Sequence, residues 1–489
     1  MRKAKKKITL ALLCVMGLLL GYVLCLPGRS ASLDSKDNPI AIILHNQDGS
    51  TVTSVLKPNL AIYSIDANAS SCDNNSVITA NTDGTLSIKF LGNDHCTLHY
   101  NQRPAQLSIS NITINGTSNS NIPTKPQYNG SASCTGATAS WNNASWTLDV
   151  SAISSSNATC SLTFTSPSGN NFATYITNLL GSNTQVTSAT DSLATTGILK
   201  NEGDYGIRYE GPNPNNYVLF NNELWRIIGV FDTYTSVSDW TNKTNAVKRV
   251  KLIRNDSIGS FAFDRTTSRS TTTNGNAWSY GGRLSNIAQI LNGPYLNHRN
   301  GSEEKDARSS SYYMCMFYGN NSVRTACDFS KGGIQGGYDD MIESVVWHLR
   351  GYSSATYTQS MYNYERTGTV NSSADTEWVG KVGLMYPSDY GYSALVDNCS
   401  RTGVQLSNYY STPYQCANTS WILKYGYEWT ISPNSSNASS VWNLFTGGNV
   451  NYDSANSGYA VRPSIYLSSN TYYISGDGSK SNPYVIIGA

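Results

Sequence analysis

The stretch Cys160-Ser161-Leu162-Thr163-Phe164 alternates polar and apolar residues, and Cys96-Thr97-Leu98-His99-Tyr100 shows the same pattern earlier in the chain. Such alternation is typical of a β-strand with one buried face. Both stretches begin with Cys and carry Leu two positions later. The sequence therefore predicts an internal repeat of a small β unit.

A second pair of alternating stretches precedes these strands at equal distances. Leu86 follows Cys72 by 14 residues, in Gly84-Thr85-Leu86-Ser87-Ile88-Lys89-Phe90, and Leu148 follows Cys134 by 14 residues, in Ser145-Trp146-Thr147-Leu148-Asp149-Val150. We therefore expect two β modules, residues 36–110 and 111–166. Modules of this size bury little surface, and a disulfide in each would offset that deficit.

Eight cysteines follow the N-terminal segment, and they form four neighbouring couples. These are Cys72 and Cys96, Cys134 and Cys160, Cys315 and Cys327, and Cys399 and Cys416. Eight cysteines allow about a hundred connectivities, and sequence alone does not choose among them. We favour pairing within each couple because each lies inside one predicted module. The spacing of zinc-binding cysteines is missing, so we predict structural disulfides and no metal or other cofactor.

The N-terminal segment, residues 1–32, predicts export. Residues 2–7 are basic, and the run Ile8–Leu26 is apolar and uncharged. This is the plan of a signal peptide, with cleavage after Ser32. The run is also long enough for an uncleaved membrane anchor, residues 8–26, which would hold the chain at the membrane. Either alternative places the rest of the protein outside the cytoplasm, secreted or on the cell surface.

Composition argues against one class of partner. Charged residues make up only 13% of the chain, which instead contains 51 Asn, and Lys and Arg (34) nearly balance Asp and Glu (32). A basic patch interleaved with aromatic residues is missing, so the sequence does not favour nucleic acid as a partner.

The C-terminal half has a different pattern. Residues 167–203 form a polar linker with a short helix around Phe172–Leu180, and residues 204–489 form one domain. Residues 216–231 predict a hairpin that turns at Asn221-Asn222. Residues 249–254 predict a strand, and residues 460–467 a closing strand. Leu284, Ile287, Ala288 and Leu291 predict one helix, and Ile342, Val345, Val346 and Leu349 predict a second helix, opened by Asp339 and Asp340.

Three motifs near the end resemble those of uncharacterised exported bacterial proteins. They are Trp429-Thr430-Ile431-Ser432-Pro433, Gly447-Gly448-Asn449-Val450 and Gly458-Tyr459-Ala460-Val461-Arg462-Pro463. The tandem Cys units and the Ser475–Ser479 ending are similar too. That family looks related to the C-type-lectin-like fold of formylglycine-generating enzymes and retroelement-diversified receptors. The resemblance implies two β modules followed by an α+β lectin-like domain, a mainly β chain with some α. The calcium-binding triplets and late reactive cysteines of such folds are missing here.

A late run rich in Asn, Tyr and Trp is the predicted ligand surface. The residues we assign to it are Trp429, Asn434, Trp442, Asn443, Asn449, Asn451 and Tyr452. Aromatic rings supply rigid contact area, and amides supply adaptable hydrogen bonds. The resemblance maps this run to the ligand-binding face of lectin-like folds. A general excess of Asn along the chain is the alternative explanation.

Three functions remain open at this point. The first is a cell-surface binding protein, adhesin-like, whose lectin-like domain stands on a β-module stalk and recognises a glycan or a protein. The second is a structural envelope or filament subunit without a ligand. The third is an exported hydrolase that uses Asp339, Asp340 or Glu343 as catalytic carboxylates. We favour the first, because a capped helix start would explain all three carboxylates.

Overall fold

The computed structural model describes residues 40–45, 51–53, 63–73, 76–80, 86–89, 95–102, 107–123, 125–153, 158–180, 197–318, 323–370, 374–396, 399–411 and 415–488. The predicted signal peptide or anchor, residues 1–32, lies outside them. Within those ranges, no helix has the length and apolar character needed to span a bilayer. The chain divides into two compact units, Met1–Pro167 and Ser168–Ala489.

The first unit is built from short strands. In its described part they are β1 (Ile40–His45), β2 (Thr51–Thr53), β3 (Tyr63–Cys72), β4 (Val77–Ala80), β5 (Leu86–Lys89), β6 (Cys96–Gln102), β7 (Leu107–Ile114), β8 (Thr117–Asn119), β9 (Asn129–Thr135), β10 (Ala137–Asn142), β11 (Thr147–Ile153) and β12 (Ala158–Thr165).

The two modules of this unit share one topology. Their four-stranded sheets have the orders β2-β1-β6-β3 and β8-β7-β12-β9, and each module adds a separate hairpin, β4–β5 or β10–β11. In each sheet the first strand of the module runs parallel to the last one. These pairs are β1 with β6 and β7 with β12. The internal repeat predicted from the alternating stretches is thus also a repeat of strand order.

A disulfide closes each module at the same place. Cys72 lies directly opposite Cys96 on β3 and β6, and Cys134 lies directly opposite Cys160 on β9 and β12. The module cores are small and contain Leu98 in the first and Leu162 in the second. Strand β7, which pairs with β12, spans the predicted boundary after residue 110.

The second unit combines many strands with short helices. Its strands are β13 (Ile198–Asn201), β14 (Ile207–Glu210), β15 (Tyr217–Phe220), β16 (Glu223–Thr233), β17 (Val247–Arg254), β18 (Ser260–Ala262), β19 (Arg269–Ser270), β20 (Thr273–Asn274), β21 (Ser279–Tyr280), β22 (Arg283–Leu284), β23 (Lys305–Asp306), β24 (Ser309–Tyr313), β25 (Met316–Tyr318), β26 (Val323–Arg324), β27 (Val345–His348), β28 (Glu377–Gly380), β29 (Val382–Gly383), β30 (Glu428–Pro433), β31 (Ser440–Leu444), β32 (Val450–Ser454), β33 (Gly458–Ala460), β34 (Ser464–Tyr466), β35 (Thr471–Ser475) and β36 (Tyr484–Gly488). Its α-helices are α1 (Phe172–Asn178), α2 (Val237–Asn242), α3 (Asn286–Ile290), α4 (Thr358–Thr367) and α5 (Pro387–Ser393). A π-helical turn, Leu291–Tyr295, extends α3, and 3₁₀ turns occur at Gly203–Tyr205, Leu406–Asn408 and Cys416–Thr419.

Two sheets organise this unit. The larger follows the order β29-β34-β17-β16-β15-β36-β35, with β14 paired to β16 and β13 to β14. The smaller follows the order β18-β33-β30-β31-β32. Helix α1 begins at Asn171, whose side chain accepts a hydrogen bond from the Thr174 amide, and it buries Phe172 and Ile176 in the main core.

Several predicted elements of this unit are confirmed. The hairpin β15–β16 turns at Asn221 and Asn222, both at positive φ as a type I′ turn requires. Strand β17 contains the predicted residues 249–254, and helix α3 lies within the first predicted helix. The second predicted helix is wrong. Residues 345–348 form β27, which pairs with β28.

The disulfides match the predicted couples throughout. Cys315 pairs with Cys327 at a Cα–Cα distance of 6.2 Å, and Cys399 pairs with Cys416 at 5.7 Å. Together with the two module disulfides, they indicate an oxidising environment. The fold class is the predicted one, mainly β with some α and with disulfide-stapled segments.

Candidate functional site

One face of the smaller sheet collects several of the predicted ligand residues. Trp429 on β30 lies opposite Asn443 on β31, and Asn443 lies opposite Asn451 on β32. Side chains that are directly paired across strands point to the same face of a sheet. Asp453 follows Asn451 by two positions and therefore shares this face. Three strands thus place a ring, two amides and a carboxylate side by side.

Aromatic rings extend the same face. Tyr427, two positions before Trp429, stacks on Tyr459 at 4.8 Å between ring centroids and meets Phe445 edge-on at 4.9 Å. Tyr459 in turn contacts Trp429 at 4.6 Å. Tyr427 is 39% exposed, and the rings of Phe445 and Tyr459 are half-buried. We call this side of the sheet the tyrosine face. Its members are Tyr427, Trp429, Asn443, Phe445, Asn451, Asp453 and Tyr459, of which Trp429 and Asn443 are fully buried.

Tyr459 lies across the middle of the tyrosine face. Its ring rests against Trp429 on β30, whereas its hydroxyl donates a hydrogen bond to the Asp453 carboxylate on β32. The phenol therefore bridges the strand between them, β31. Burial raises the pKa of Tyr459, and the hydrogen bond to Asp453 raises it further, so the hydroxyl stays protonated and remains a donor.

Asn443 is the polar centre of this face, and its amide has no protein partner. The side chain is only 1% exposed, yet neither its Nδ2 nor its Oδ1 has a hydrogen-bond partner. Buried amide groups in native proteins are nearly always paired, because an unpaired one keeps the full cost of its desolvation. Asn443 shares this state with other buried polar atoms of the second unit, such as Trp225 Nε1 and Ser464 Oγ, and it is the one whose two amide atoms both belong to the tyrosine face.

Buried contacts fix the strands that carry the tyrosine face. The Trp429 indole donates to the Phe261 carbonyl at 2.9 Å, which ties β30 to the chain near β18. Arg462, just beyond β33, donates to the Glu428 carboxylate on β30 at 2.6 Å and 2.9 Å. Burial raises the pKa of Glu428, and Arg462 opposes that rise. These hydrogen bonds hold β30, and with it the aromatic rings of the tyrosine face, in a fixed position.

The remaining predicted ligand residues lie elsewhere. Trp442 and Tyr452 pair with each other on the opposite face of the sheet, with Trp442 buried and Tyr452 43% exposed. Asn434 is buried, and its carboxamide oxygen accepts hydrogen bonds from the Ser436 amide and hydroxyl. Asn449 lies in the turn between β31 and β32 and is half-buried. Trp442 and Asn434 are enclosed, as Trp429 and Asn443 also are, and the ligand-binding role of all four stays a prediction.

Sequence reasoning missed four members of the face, Tyr427, Phe445, Asp453 and Tyr459. A signal for three of them was present, since Asp453 lies two positions from the predicted Asn451 on β32. Tyr427 and Phe445 lie just beyond the ends of β30 and β31, each two positions from a predicted ligand residue, Trp429 or Asn443. Continuing the alternation of the strand by one residue puts them on the same face. Tyr459 follows a tight turn, so strand alternation alone could not place it.

The three carboxylates of the hydrolase alternative each have their own surroundings. Glu343 accepts a hydrogen bond from Arg249 at 2.9 Å, and Asp339 accepts one from the Gly337 backbone amide at 3.0 Å. Asp340 is exposed. The helix that these residues were predicted to cap is replaced by turns before β27, so the capping explanation is wrong as well.

Metal-binding geometry is not found among the residues that the structure describes, where no three His, Cys, Asp or Glu side chains group together. The chain was also compared with known proteins. No protein-family model, curated protein or solved structure matches it.

Proposed function

We propose that the protein is an exported, adhesin-like binding protein that recognises a glycan through the tyrosine face. The observation that carries the proposal is the set of adjoining rings Tyr427, Phe445 and Tyr459, partly open to solvent, beside Asn443 and Asp453. Sugar rings have apolar C–H faces that pack on aromatic rings, and hydroxyl groups that pair with amides and carboxylates.

The rest of the chain fits a display role under the same proposal. The two β modules precede the binding domain and act as its stalk on the cell surface. Export through the N-terminal segment agrees with the four disulfides, which form outside the reducing cytoplasm. The C-type-lectin-like resemblance of residues 204–489 belongs to this proposal and rests on the late sequence motifs.

Substitution of an exposed ring tests the proposal. Tyr427→Ala removes a partly exposed aromatic surface, so we expect about tenfold weaker glycan binding, which corresponds to roughly 1.4 kcal/mol. Binding of the full secreted chain would be measured on a glycan array and then by calorimetry on the best hit.

Tyr452→Ala is the matched control, because Tyr452 is a similarly exposed tyrosine on the opposite face of the same sheet. We expect it to bind like the wild type. A glycan array that stays blank at every concentration, or equal losses in the two variants, would contradict the proposal. If the protein binds only protein ligands, the proposed ligand is a protein and not a glycan.

A further inference from the structure

We infer that the glycan bound by the tyrosine face carries a free amino group, as amino sugars without an acetyl group do, and that the Asp453 carboxylate recognises its positive charge. This inference rests on the proposed function and names the substrate class of the same site. It depends on Asp453, Tyr459 and Tyr427, which are members of the face that solvent reaches, and on none of its buried groups.

Asp453 is a half-buried carboxylate without a cation beside it. Among the residues that the structure describes, no Lys, Arg or His side chain forms an ion pair with it. The members of the tyrosine face include this one carboxylate and no basic side chain. A carboxylate that has lost part of its hydration and has no counter-ion favours a positively charged ligand and repels an acidic one.

The hydrogen bonds of Asp453 leave room for a further donor. Its Oδ2 accepts from the Tyr459 hydroxyl, and its Oδ1 accepts from the Ser454 amide at 2.6 Å. An ionised carboxylate has about four acceptor positions on its two oxygens, so each oxygen of Asp453 keeps one. An ammonium group can therefore bind beside the Tyr459 hydroxyl without displacing it.

Aromatic rings next to Asp453 favour the same kind of ligand. The hydroxyl of Tyr459 contacts the Asp453 carboxylate, and Tyr427, which is 39% exposed, stacks on Tyr459 at 4.8 Å between ring centroids. The faces of aromatic rings carry partial negative charge and attract ammonium groups, and they also pack against the C–H face of a sugar. An amino sugar combines both features in one molecule, whereas a neutral sugar offers only the second.

Three trisaccharides of the same linkage test the inference on the full secreted chain. They are built from glucosamine, glucose and N-acetylglucosamine, and they differ only in the substituent next to the anomeric carbon. At about pH 6, where an amine carries its proton, we expect the wild type to bind the glucosamine trisaccharide about tenfold more tightly than the other two, because hydrogen bonds to charged groups are the stronger ones. The preference should shrink as salt is added, since solvent reaches both charges.

Asp453→Asn should abolish this preference while binding of the glucose trisaccharide stays, because the amide keeps the size of the carboxylate and loses its charge. Tyr459→Phe removes only the hydroxyl and keeps the ring and the carboxylate, so we expect it to retain the preference. Asp340→Asn removes an exposed aspartate outside the face. It is the control for net charge and should bind like the wild type.

Two results would overturn the direct role of Asp453. One is a preference for glucosamine that survives in Asp453→Asn. The other is an equal loss of the preference in Asp453→Asn and Tyr459→Phe, because the carboxylate would then act only by holding the Tyr459 ring in place.

The outcomes separate this inference from the proposed function. If the three trisaccharides bind with equal affinity and the binding depends on Tyr427, the proposed function stands and this inference fails. A preference for uronic or sulfated sugars would also overturn the inference, since Asp453 would repel them. If no sugar binds at all, both fail. Binding of lysine-rich peptides in place of sugars would likewise overturn the assignment to an amino sugar.

Discussion

Asp389 shows at the scale of one residue how the second unit keeps charge in its interior. Its carboxylate accepts hydrogen bonds from Arg208 at 3.0 Å and from Lys251 at 2.6 Å, and all three side chains are 1% exposed. Burial acts to raise the pKa of Asp389, but Lys251 and Arg208 outweigh it and lower the pKa to about 2. Removing the carboxylate would leave two buried cations without their shared partner.

We therefore expect Asp389→Asn to lower the free energy of unfolding by about 3–5 kcal/mol, the usual cost of breaking a buried ion pair. Chemical denaturation would measure it, with Asp340→Asn, an exposed aspartate, as the control. Because the folded pKa lies below the usual 3.8, this contribution is present above pH 3.8 and is lost as pH falls toward 2. A variant as stable as the wild type at pH 7 would argue against this account.

Glu210 should give the opposite pH dependence. Burial raises its pKa, and a hydrogen bond shared with the Glu202 carboxyl raises it further. A folded pKa above the usual 4.5 means that this contribution is full at low pH and is lost as pH rises past 4.5 toward the folded value. Glu210→Gln cannot titrate, so we expect its stability to depend less on pH in this range. If the free energy of unfolding changes with pH equally in the variant and the wild type, the raised pKa of Glu210 is refuted.

The element that sequence reasoning got wrong is strand β27. Residues at 342, 345, 346 and 349 have helical spacing, but Val345, Val346, Trp347 and His348 are all buried, as is Leu349. A strand that is buried on both faces appears in the sequence as a continuous apolar run. Such a run also contains apolar residues at helical spacing, so the pattern cannot distinguish a helix from a strand. The alternating strands of the modules were predictable because only one of their faces is buried.

The candidate site was predictable only in part, for a similar reason. The residues Trp429, Asn443 and Asn451 were predicted, but their shared face depends on the register of three strands. A bulge between Trp429 and Pro433 shifts that register. A shift of one residue moves a side chain to the other face of the sheet. The same rule explains why Trp442, next to Asn443, and Tyr452, next to Asn451, lie on the opposite face of the sheet.

The β15–β16 hairpin carries a prediction at this scale. Asn221 lies at φ 57° and is buried, its Nδ2 donates to the Gly333 carbonyl at 3.0 Å, and its Oδ1 accepts from the Gln335 amide at 2.8 Å. Asn221→Ala would lose both bonds and place alanine in a left-handed conformation, so we expect about 2–4 kcal/mol lower stability by urea denaturation. Asn222→Ala, at the exposed turn position, should cost less. An equal loss of stability in the two variants would show that the left-handed backbone conformation, and not the two hydrogen bonds of Asn221, sets the loss.

At the scale of the whole molecule, the two units differ in what stabilises them. Each module of the first unit has a small core, such as the one around Leu98 or Leu162, and a disulfide that joins directly paired strands. The second unit has one extended core that runs from Phe172 in α1 to Ile486 in β36. Small cores depend more on covalent closure, because they bury less apolar surface per residue.

The double variant Cys134→Ala/Cys160→Ala tests this difference in the full chain. The disulfide joins positions 26 residues apart, and closing such a loop stabilises by about 3 kcal/mol. We therefore expect a lower unfolding transition for the first unit by calorimetry, whereas the transition of the second unit and the proposed glycan binding stay unchanged. Loss of the proposed binding in this variant would mean that the β modules contribute to it, since the tyrosine face lies wholly within the second unit.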